Sequence, residues 1–529
     1  MARMPRSAIR LAVVLSAGLW ALPAAAQGDN VTIAVGGAFT SLDPHFHNLT
    51  PNSALTQHLF DRLVNPDPDL RPEAALATSW TAVEPNVWEF RLRDDARFHD
   101  GTPFTADDVA FTLARVSALR SGPGGYAIYT RPVQEVVVVN PQTVRLVTAA
   151  PAPLIPAFMA ALPMIGRRHG EGAATSDYNS GQAAIGTGPY RLVSYTAGDR
   201  AVFQRNEQWW GGAQPWNRVT VRLIANDSAR IAALKAGDAD LIDQVPTRDA
   251  RSLAAEPRLV VFSKAGVRNI YLHLDLLREE TPFVTDARGN RLASNPLRDP
   301  RVRQALSMAI NRAGIVAQVM DGYASPSGQF LPQGAMGSDP GLTPDAYDMA
   351  AARRLLAEAG YPEGFSVTLH GPNDRYVNDA QILQAVAQMW TRIGVRTRVE
   401  ALPSSTYFTR SARDEFSIGL LGWGTGTGEA DSPLSSLVAT RDAARGRGAS
   451  NRSGYSNAAV DQLLDRALST LDAAAREDLY RQATRIAIGD RAILPLHHQV
   501  NLWAARSGLV YEGRSDERTM AMSLRRGAR

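Results

Sequence analysis

The stretch GTGPYRLVSYTAGDRAVFQRNEQWWGGAQPWNRVTVRLIANDSARIAALKAGDADLIDQVP, residues 186–246, decides the fold. It opens with Gly186-Thr187-Gly188-Pro189-Tyr190. Residues 190–195 alternate apolar and polar, Ala197-Gly198-Asp199 supplies a turn, and residues 201–205 alternate again, which is a β-hairpin pattern. After Trp209-Trp210 and a Gly/Pro/Trp loop, residues 219–224 read as a strand. A helix begins near Asp227 and stops at Gly237, where glycine can take the left-handed conformation that ends helices. Residues 239–243 return as a short strand. Strand, helix and strand in this order form a crossover unit of a parallel sheet. The stretch holds no nucleophile beside a base and no metal-ligand spacing, so it reads as scaffold.

The same grammar extends in both directions. Residues 31–35 and 87–92 alternate as half-buried strands. Thr105 can cap a helix whose Val109, Leu113 and Val116 share one face. Residues 136–139 and 143–147 form a second hairpin pattern, and 269–274 a strand. Residues 281–299 read as an irregular loop, and 301–320 as one helix. A helix over 347–359 is stopped by Gly360. Strand 366–370, helix 379–393 and strand 395–400 make a second crossover unit. Residues 416–421 are a short apolar strand, Asn457 and Asp472 cap two helices, and 493–503 alternate as a late strand. Residues 441–454 read as a mobile surface loop, and Met520-Ala521-Met522 as an uninformative tail. Alternating strands and helices define an α/β protein.

A chain of 529 residues with 45% hydrophobic and 20% charged content can bury a large core and holds more than one lobe. Arg3, Arg6 and Arg10 precede an apolar segment over 11–22 and Ala24-Ala25-Ala26, the pattern of a cleavable signal peptide over 1–26. The net charge of +4 loses the leader's three arginines and falls to about +1, which argues against nucleic acid as a partner. There is no cysteine, hence no disulfide, thiolate metal site or lipid-accepting thiol. A soluble periplasmic protein fits best.

Several segments resemble one family in order along the chain. Leu42-Asp43-Pro44-His45, Leu76-Ala77-Thr78-Ser79-Trp80 and Phe98-His99-Asp100-Gly101-Thr102-Pro103-Phe104 are similar to N-terminal signatures of the family-5 extracellular solute-binding proteins of ABC importers. Gly186-Thr187-Gly188-Pro189-Tyr190, Ala236-Gly237-Asp238-Ala239-Asp240 and Pro300-Arg301-Val302-Arg303-Gln304-Ala305-Leu306 resemble its central signatures. The resemblance implies a two-lobed periplasmic-binding-protein fold (type II, large subclass) with an extra N-terminal subdomain, discontinuous lobes and a hinge. The expected division is lobe I at 27–60, 185–268 and 495–529, the extra subdomain at 61–184, and lobe II at 269–494. It also implies a small-molecule solute (peptide or peptide-like), an inner-membrane permease with cytoplasmic ATPases as partner, and a monomer needing no cofactor.

Two stretches are candidates for the solute site. Gly422-Trp423-Gly424-Thr425-Gly426 follows the strand 416–421, and ligands of open α/β sheets collect past strand carboxyl ends. Glycine admits close backbone approach, and Trp423 offers a flat apolar surface. The other reading is a flexible loop with Trp423 in the core. Arg375 follows the strand 366–370, and its planar donor fork suits a carboxylate or phosphate. The other reading is a surface arginine or structural ion pair. In peptide-binding relatives an aspartate in the glycine loop pairs with the peptide amine, and an arginine near position 375 holds its carboxylate. The aspartate position falls on Gly426, with Glu429 and Asp431 close by, which favours a modified, cyclic, acidic or non-peptide solute. The early loop with His45, His47, Asn48 and Asn52 is expected to add polar contacts, as in relatives. Tyr126, Tyr129 and Arg131 either close over the solute or pack on the lobe surface.

His45-x-His47 lacks a third ligand, so no metal site is assigned. On the late strand, His498 shares its face with apolar residues as a core histidine, while His497 lies on the polar face. Trp209 and Trp210 read as core. The chain contains no Ser-x-x-Lys, Gly-x-Ser-x-Gly, His-Glu-x-x-His or Walker motif. The expected function is periplasmic capture of a peptide-like solute for import. An opine-like or metal-chelate ligand on the same fold, and an exported hydrolase, are the alternatives.

Overall fold

The computed structural model describes residues 29–119 and 125–527. The signal-peptide features and the glycine-rich residues 121–124 lie outside them.

The scaffold stretch folds as hairpin, strand, helix and strand. Tyr190–Thr196 pairs with Arg200–Arg205, which pairs with Arg218–Leu223. Helix Asp227–Ala236 is capped by Asn226, whose side chain accepts the Ala229 N–H at 3.0 Å, and it ends at Gly237 with φ 88°. The crossover steps over one strand: Asn30–Val35 lies between Arg218–Leu223 and Leu241–Ile242, parallel to both. Arg230, fully buried, ties the carboxyl ends of this unit. Its guanidinium donates to the carbonyls of Ile224 (2.8 Å), Asp243 (3.1 Å) and Gln244 (2.9 Å).

The sheet continues without interruption to twelve strands. Leu241–Ile242 pairs with Leu494–Arg506, which runs antiparallel to the sixteen-residue strand Leu259–Leu274. Beyond that strand come Ile418–Trp423, Phe365–Pro372 and Val395–Leu402. The two long strands serve two cores. Their first shared half puts Leu259, Leu502, Trp503 and Ala505 against the scaffold stretch. The other half puts Ile270, Leu272, Leu274, Leu494 and Leu496 against Trp390 and the helices of a second lobe. Between the halves the register slips: Ala265 faces Val500 and Asn269 faces His498, so residues 266–268 stand opposite Gln499 alone. A β-carbon at Gly266 would lie 2.7 Å from the Gln499 carbonyl oxygen, which is why the bulge starts on glycine.

A separate four-stranded antiparallel sheet, in the order Ala77–Glu84, Val87–Leu92, Thr143–Thr148, Val133–Asn140, carries the extra subdomain. Helix Ala106–Ala118 covers it, capped by Thr105 as expected, with Val109, Leu113 and Val116 in the core. The chain leaves for this subdomain at residues 58–60 and returns at 186–190, side by side: Gly188 N–H donates to Leu59 O (2.9 Å) and Tyr190 N–H to His58 O (2.9 Å). A β-carbon at Gly186 would overlap the Leu59 carbonyl oxygen, and one at Gly188 would lie 2.6 Å from the carbonyl carbon. The glycines that open the scaffold stretch are therefore required by backbone passing backbone.

The structure corrects several readings. The helix expected over 301–320 is two, Pro300–Met308 and Arg312–Gln318, because the Asn311 side chain accepts the Gly314 N–H (2.8 Å) and starts a new helix. Residues 441–454 are tied down: Arg441 makes a two-pronged pair with Asp414, and buried Asn451 donates to Ala439 O and Tyr455 O. His497 is buried like His498, and the short strand Ala324–Pro326 pairs along the edge of their strand. The tail is core: Ala521 and Leu524 are fully buried, and Ala521 N–H donates to His58 Nε2 (3.1 Å). Trp209 and Trp210 are half-buried, and both indole N–H groups donate to one oxygen of Asp61 (3.1 and 2.8 Å).

Candidate functional site

A cavity of about 790 Å³ lies where the register slip, the extra subdomain, the C-terminal turn and the second lobe meet. The slip pushes Val267 and Arg268 into its wall. The C-terminal turn adds residues 515–518, the extra subdomain Tyr129 and Arg131, and the second lobe residues 423–427 with Asp431. The two sides touch at its rim. A β-carbon at Gly426 would meet the Tyr129 hydroxyl at 3.6 Å, and one at Gly428 would meet Leu70 at 3.2 Å.

Of the eight expected site residues, Asn48, Trp423, Gly424 and Thr425 line this cavity. Asn48 donates to the Tyr129 hydroxyl (2.8 Å), and Trp423 Nε1 donates to Ser432 Oγ (3.1 Å). Thr425 donates to the Glu429 carbonyl (3.1 Å), which rigidifies the glycine loop.

The other four stand elsewhere. Arg375 is exposed and outside the cavity. Asp379 accepts the N–H groups of both Arg375 and Tyr376 at 3.0 Å, and in the resulting turn Tyr376 is buried while Arg375 stays in solvent. Gly422 is part of the strand Ile418–Trp423 rather than of the loop after it. Its missing side chain makes room for Tyr376 and Ile270, whose atoms would lie 2.7 and 2.8 Å from a β-carbon. His45 is buried, with Nε2 at 2.8 Å from Pro163 O and Nδ1 accepting from Arg115 Nη1 at 2.9 Å. Burial, then the Arg115 charge, lowers its pKa to about 4, so the ring is a neutral structural group. Tyr126 sits behind Tyr129, its hydroxyl 3.2 Å from Ser53 Oγ. Among the described residues no group of three His, Asp or Glu side chains is placed to hold a metal ion.

Five arginines line the cavity (Arg131, Arg268, Arg445, Arg447 and Arg518) against three acids (Asp431, Asp516 and Glu517). Arg268 and Glu517 form a two-pronged pair at 2.6 and 2.9 Å. Burial opposes the Arg268 charge, but the Glu517 carboxylate outweighs it and pushes the pKa up. Burial would also raise Asp516, yet Arg518 and Arg514 hold it below the usual carboxylate range. Asp431 is different. Burial, then the neighbouring Glu429, raises it to about 7, so near neutrality it is only partly ionised. Glu429 itself points away, held by both Arg476 nitrogens at 3.1 and 3.2 Å. Arg445 and Arg447 are paired with Asp442 and Asp465 behind the wall, so the positive excess of the cavity rests on Arg131 and Arg518. Sequence reasoning missed Arg268 and residues 515–518, whose positions depend on a bulge and a strained turn with Glu517 at φ 65°.

Residues 71–445 match the profile of "Bacterial extracellular solute-binding proteins, family 5 Middle". Glutathione-binding protein GsiB of Salmonella typhimurium is 28% identical over 498 residues, covering 92% of each chain. Among solved structures, the periplasmic binding protein DppA of Helicobacter pylori in complex with the peptide STSA superposes with TM-score 0.78 at 23% identity, covering 94% of this chain and 98% of that one. MoaA of A. tumefaciens R10 in complex with mannopinic acid superposes with TM-score 0.75 at 22% identity, covering 95% and 100%.

Proposed function

Because the chain belongs to the family-5 bacterial extracellular solute-binding proteins, the solute-capturing components of ABC importers, we propose that its solute is a small, acidic, peptide-like molecule held between the two lobes. The observation that carries this reading is the surplus of guanidinium over carboxylate in a 790 Å³ cavity. That volume lies within the range of small-molecule sites and excludes a folded polypeptide. The missing carboxylate at Gly426 agrees, since the loop offers no acid at that position to pair with a solute amine. A relative named for glutathione and a fold neighbour in complex with mannopinic acid support the choice of an acidic solute.

In this reading Trp423 packs on the solute body, Asn48 and the 424–425 backbone orient it, and Arg268 and Arg518 supply positive charge. Solute contact with both sides stabilises the closed form, as differential affinity requires. Lobe I comprises 27–60, 185–268 and 495–529, the extra subdomain 61–184, and lobe II 269–494. The slip before Asn269 supports the border after 268, whereas Leu496 packs in the second lobe's core and moves the last border from 494 towards Gln499. The protein acts in the periplasm as a monomer, without bond chemistry, and hands its solute to a membrane permease.

Calorimetric titration with glutathione, mannopinic acid, dialanine and a lysine-rich dipeptide tests the solute class, and mass spectrometry of the recovered solutes tests the absence of chemistry. Binding of the two acids, recovered intact, is expected. Preference for the neutral or cationic dipeptide sinks the acidic reading, and a cleaved solute makes the protein a hydrolase.

A further inference from the structure

The turn at residues 514–518 is built more elaborately than a chain terminus needs. Arg514 donates to the carbonyls of Pro66 (3.1 Å) and Asp67 (3.0 Å) and forms a two-pronged pair with Asp516 (3.0 and 2.9 Å). Ser515 N–H and Oγ both donate to Pro68 O at 2.9 Å, and its carbonyl accepts from Val267 N–H in the bulge. Asp516 accepts the Arg518 N–H (3.1 Å), and Glu517, at φ 65°, reaches Arg268. Four groups at four successive positions are thereby committed to protein partners.

Arg518 is the exception. Its side chain lines the cavity and makes no hydrogen bond among the described residues. Nη1 is buried and lies 3.4 Å from Asp516 Oδ2, out of hydrogen-bond alignment. Behind it stands Arg62, fully buried, with Nη1 donating to Gln57 Oε1 (2.8 Å) while Nε and Nη2 have no partner. Burial and the nearby Arg518 charge lower the Arg62 pKa to about 9, so these guanidiniums crowd one another. In this corner four arginines (Arg62, Arg268, Arg514 and Arg518) meet two carboxylates, Asp516 and Glu517. Both carboxylates already have a two-pronged partner. Uncompensated buried cations are costly, and although Arg62 and the buried Arg518 Nη1 are sealed from the cavity, an anion at the cavity face of Arg518 offsets the crowded positive charge.

We propose that Arg518 is the carboxylate-reading residue of the solute site, with Arg62 behind it reinforcing the positive field. Resting on the acidic-solute reading above, this assigns carboxylate recognition to the C-terminal turn of lobe I rather than to Arg375 of lobe II. The solute carboxylate accepts from the Arg518 guanidinium beside the cavity wall formed by Asn48, Ser53 and Tyr129. The positive reserve of Arg62 makes the site prefer a full negative charge over a neutral acceptor.

The test is a cycle between protein and probe, with glutathione and its diethyl ester titrated into wild type, Arg518→Gln and Arg375→Ala by calorimetry, and folding checked by thermal melts. In wild type, esterification lowers affinity by about 10- to 100-fold, the worth of a hydrogen bond to a charged group. In Arg518→Gln the free acid binds as weakly as the ester, so the esterification penalty vanishes. A merely structural role cannot produce that loss of discrimination. Arg518→Lys restores part of it, and Arg375→Ala keeps the full penalty. If Arg518→Gln keeps the penalty while wild type prefers the acid, the assignment is wrong and the acidic-solute reading survives. If wild type binds acid and ester equally, or binds neither, both fall.

Discussion

In residues 186–246 nearly every structural decision is made by neighbours in sequence. Asn226 caps the helix that follows it, Gly237 ends it, and Gly198 at φ 72° turns the hairpin. In residues 514–518 the local Arg514–Asp516 pair and Asp516–Arg518 bond shape the turn, but distant partners place it. The partners of that turn are Pro66, Asp67, Pro68, Val267 and Arg268, brought from the extra subdomain loop and the long strand. The first region carries the family's signature and lines no part of the cavity, whereas the second carries no recognisable motif and forms its wall. Local rules build the frame in this molecule, and long-range contacts build the site.

Acid attacks both regions and is the largest expected perturbation. His99 accepts the Gly186 N–H at Nδ1 (3.2 Å) and reaches Gly188 O through Nε2 (3.1 Å), clamping the opening glycines. His58 accepts the Ala521 N–H at Nε2 and holds the C-terminal tail. Both rings are driven to a pKa of about 4, burial being the main cause, against an unfolded value of 6.5. Above pH 6.5 neither state is protonated and nothing is lost. Between 6.5 and 4 the unfolded chain takes up the proton first, so stability falls with pH, by about 1.4 kcal/mol per unit per ring. Asp431 and Asp61, raised to about 7 and about 6 mainly by burial, act in the opposite sense and match the loss at these two rings over that range. The further buried rings of His45 and His498, lowered to about 4, and of His273 and His497, lowered to about 3, mainly by burial, add to the loss and leave a net decline. Urea midpoints measured from pH 7 to 4.5 should decline below 6.5, and a flat profile contradicts the neutral state of the buried histidines.

Gly186→Val tests the frame alone. Its side chain collides with the Leu59 backbone, and a loss of about 3 kcal/mol or more is expected in urea unfolding. Arg268→Met tests the site wall. It strands the Glu517 carboxylate, which is only partly exposed, and should lose about 2 kcal/mol. Arg268→Met with Glu517→Gln should recover about half of that, and failure to recover means that the pair is not what holds the turn. Ala521→Pro removes one buried donor to His58 and should lose about 1 kcal/mol, with solute affinity unchanged by calorimetry. Arg375→Ala, at the exposed position, should leave stability and affinity within error, and a measured loss of affinity returns the site to lobe II.

The elements of the scaffold stretch were legible because alternation and capping act within a few residues. The cavity was legible at Asn48, through the resemblance of the early loop, and where the carboxyl-end rule applied: Trp423, Gly424 and Thr425 stand at or just past the end of a central strand and line it. The same rule pointed to Arg375, but Asp379, the first residue of the following helix, accepts the Arg375 and Tyr376 N–H groups and leaves the arginine side chain in solvent. His45 and Tyr126 looked like binding groups because polar and aromatic residues in loops serve that purpose. Their partners, Pro163, Arg115 and Ser53, are distant in sequence and claim them for the interior. Residues 514–518 form a charged run near the chain's end, and only the slipped register at 266–268 turns them toward the solute space.

The place of strand Leu494–Arg506 also sets a timetable. It follows the other strands of the twelve-stranded sheet in sequence, yet it stands mid-sheet between Leu241–Ile242 and Leu259–Leu274. A nascent chain that ends at Gly489 already has every helix of both lobes but a sheet with a gap in its middle. Neither lobe can close its core, and the cavity lacks its wall. Such a topology delays cooperative folding of both lobes until that one strand has been made.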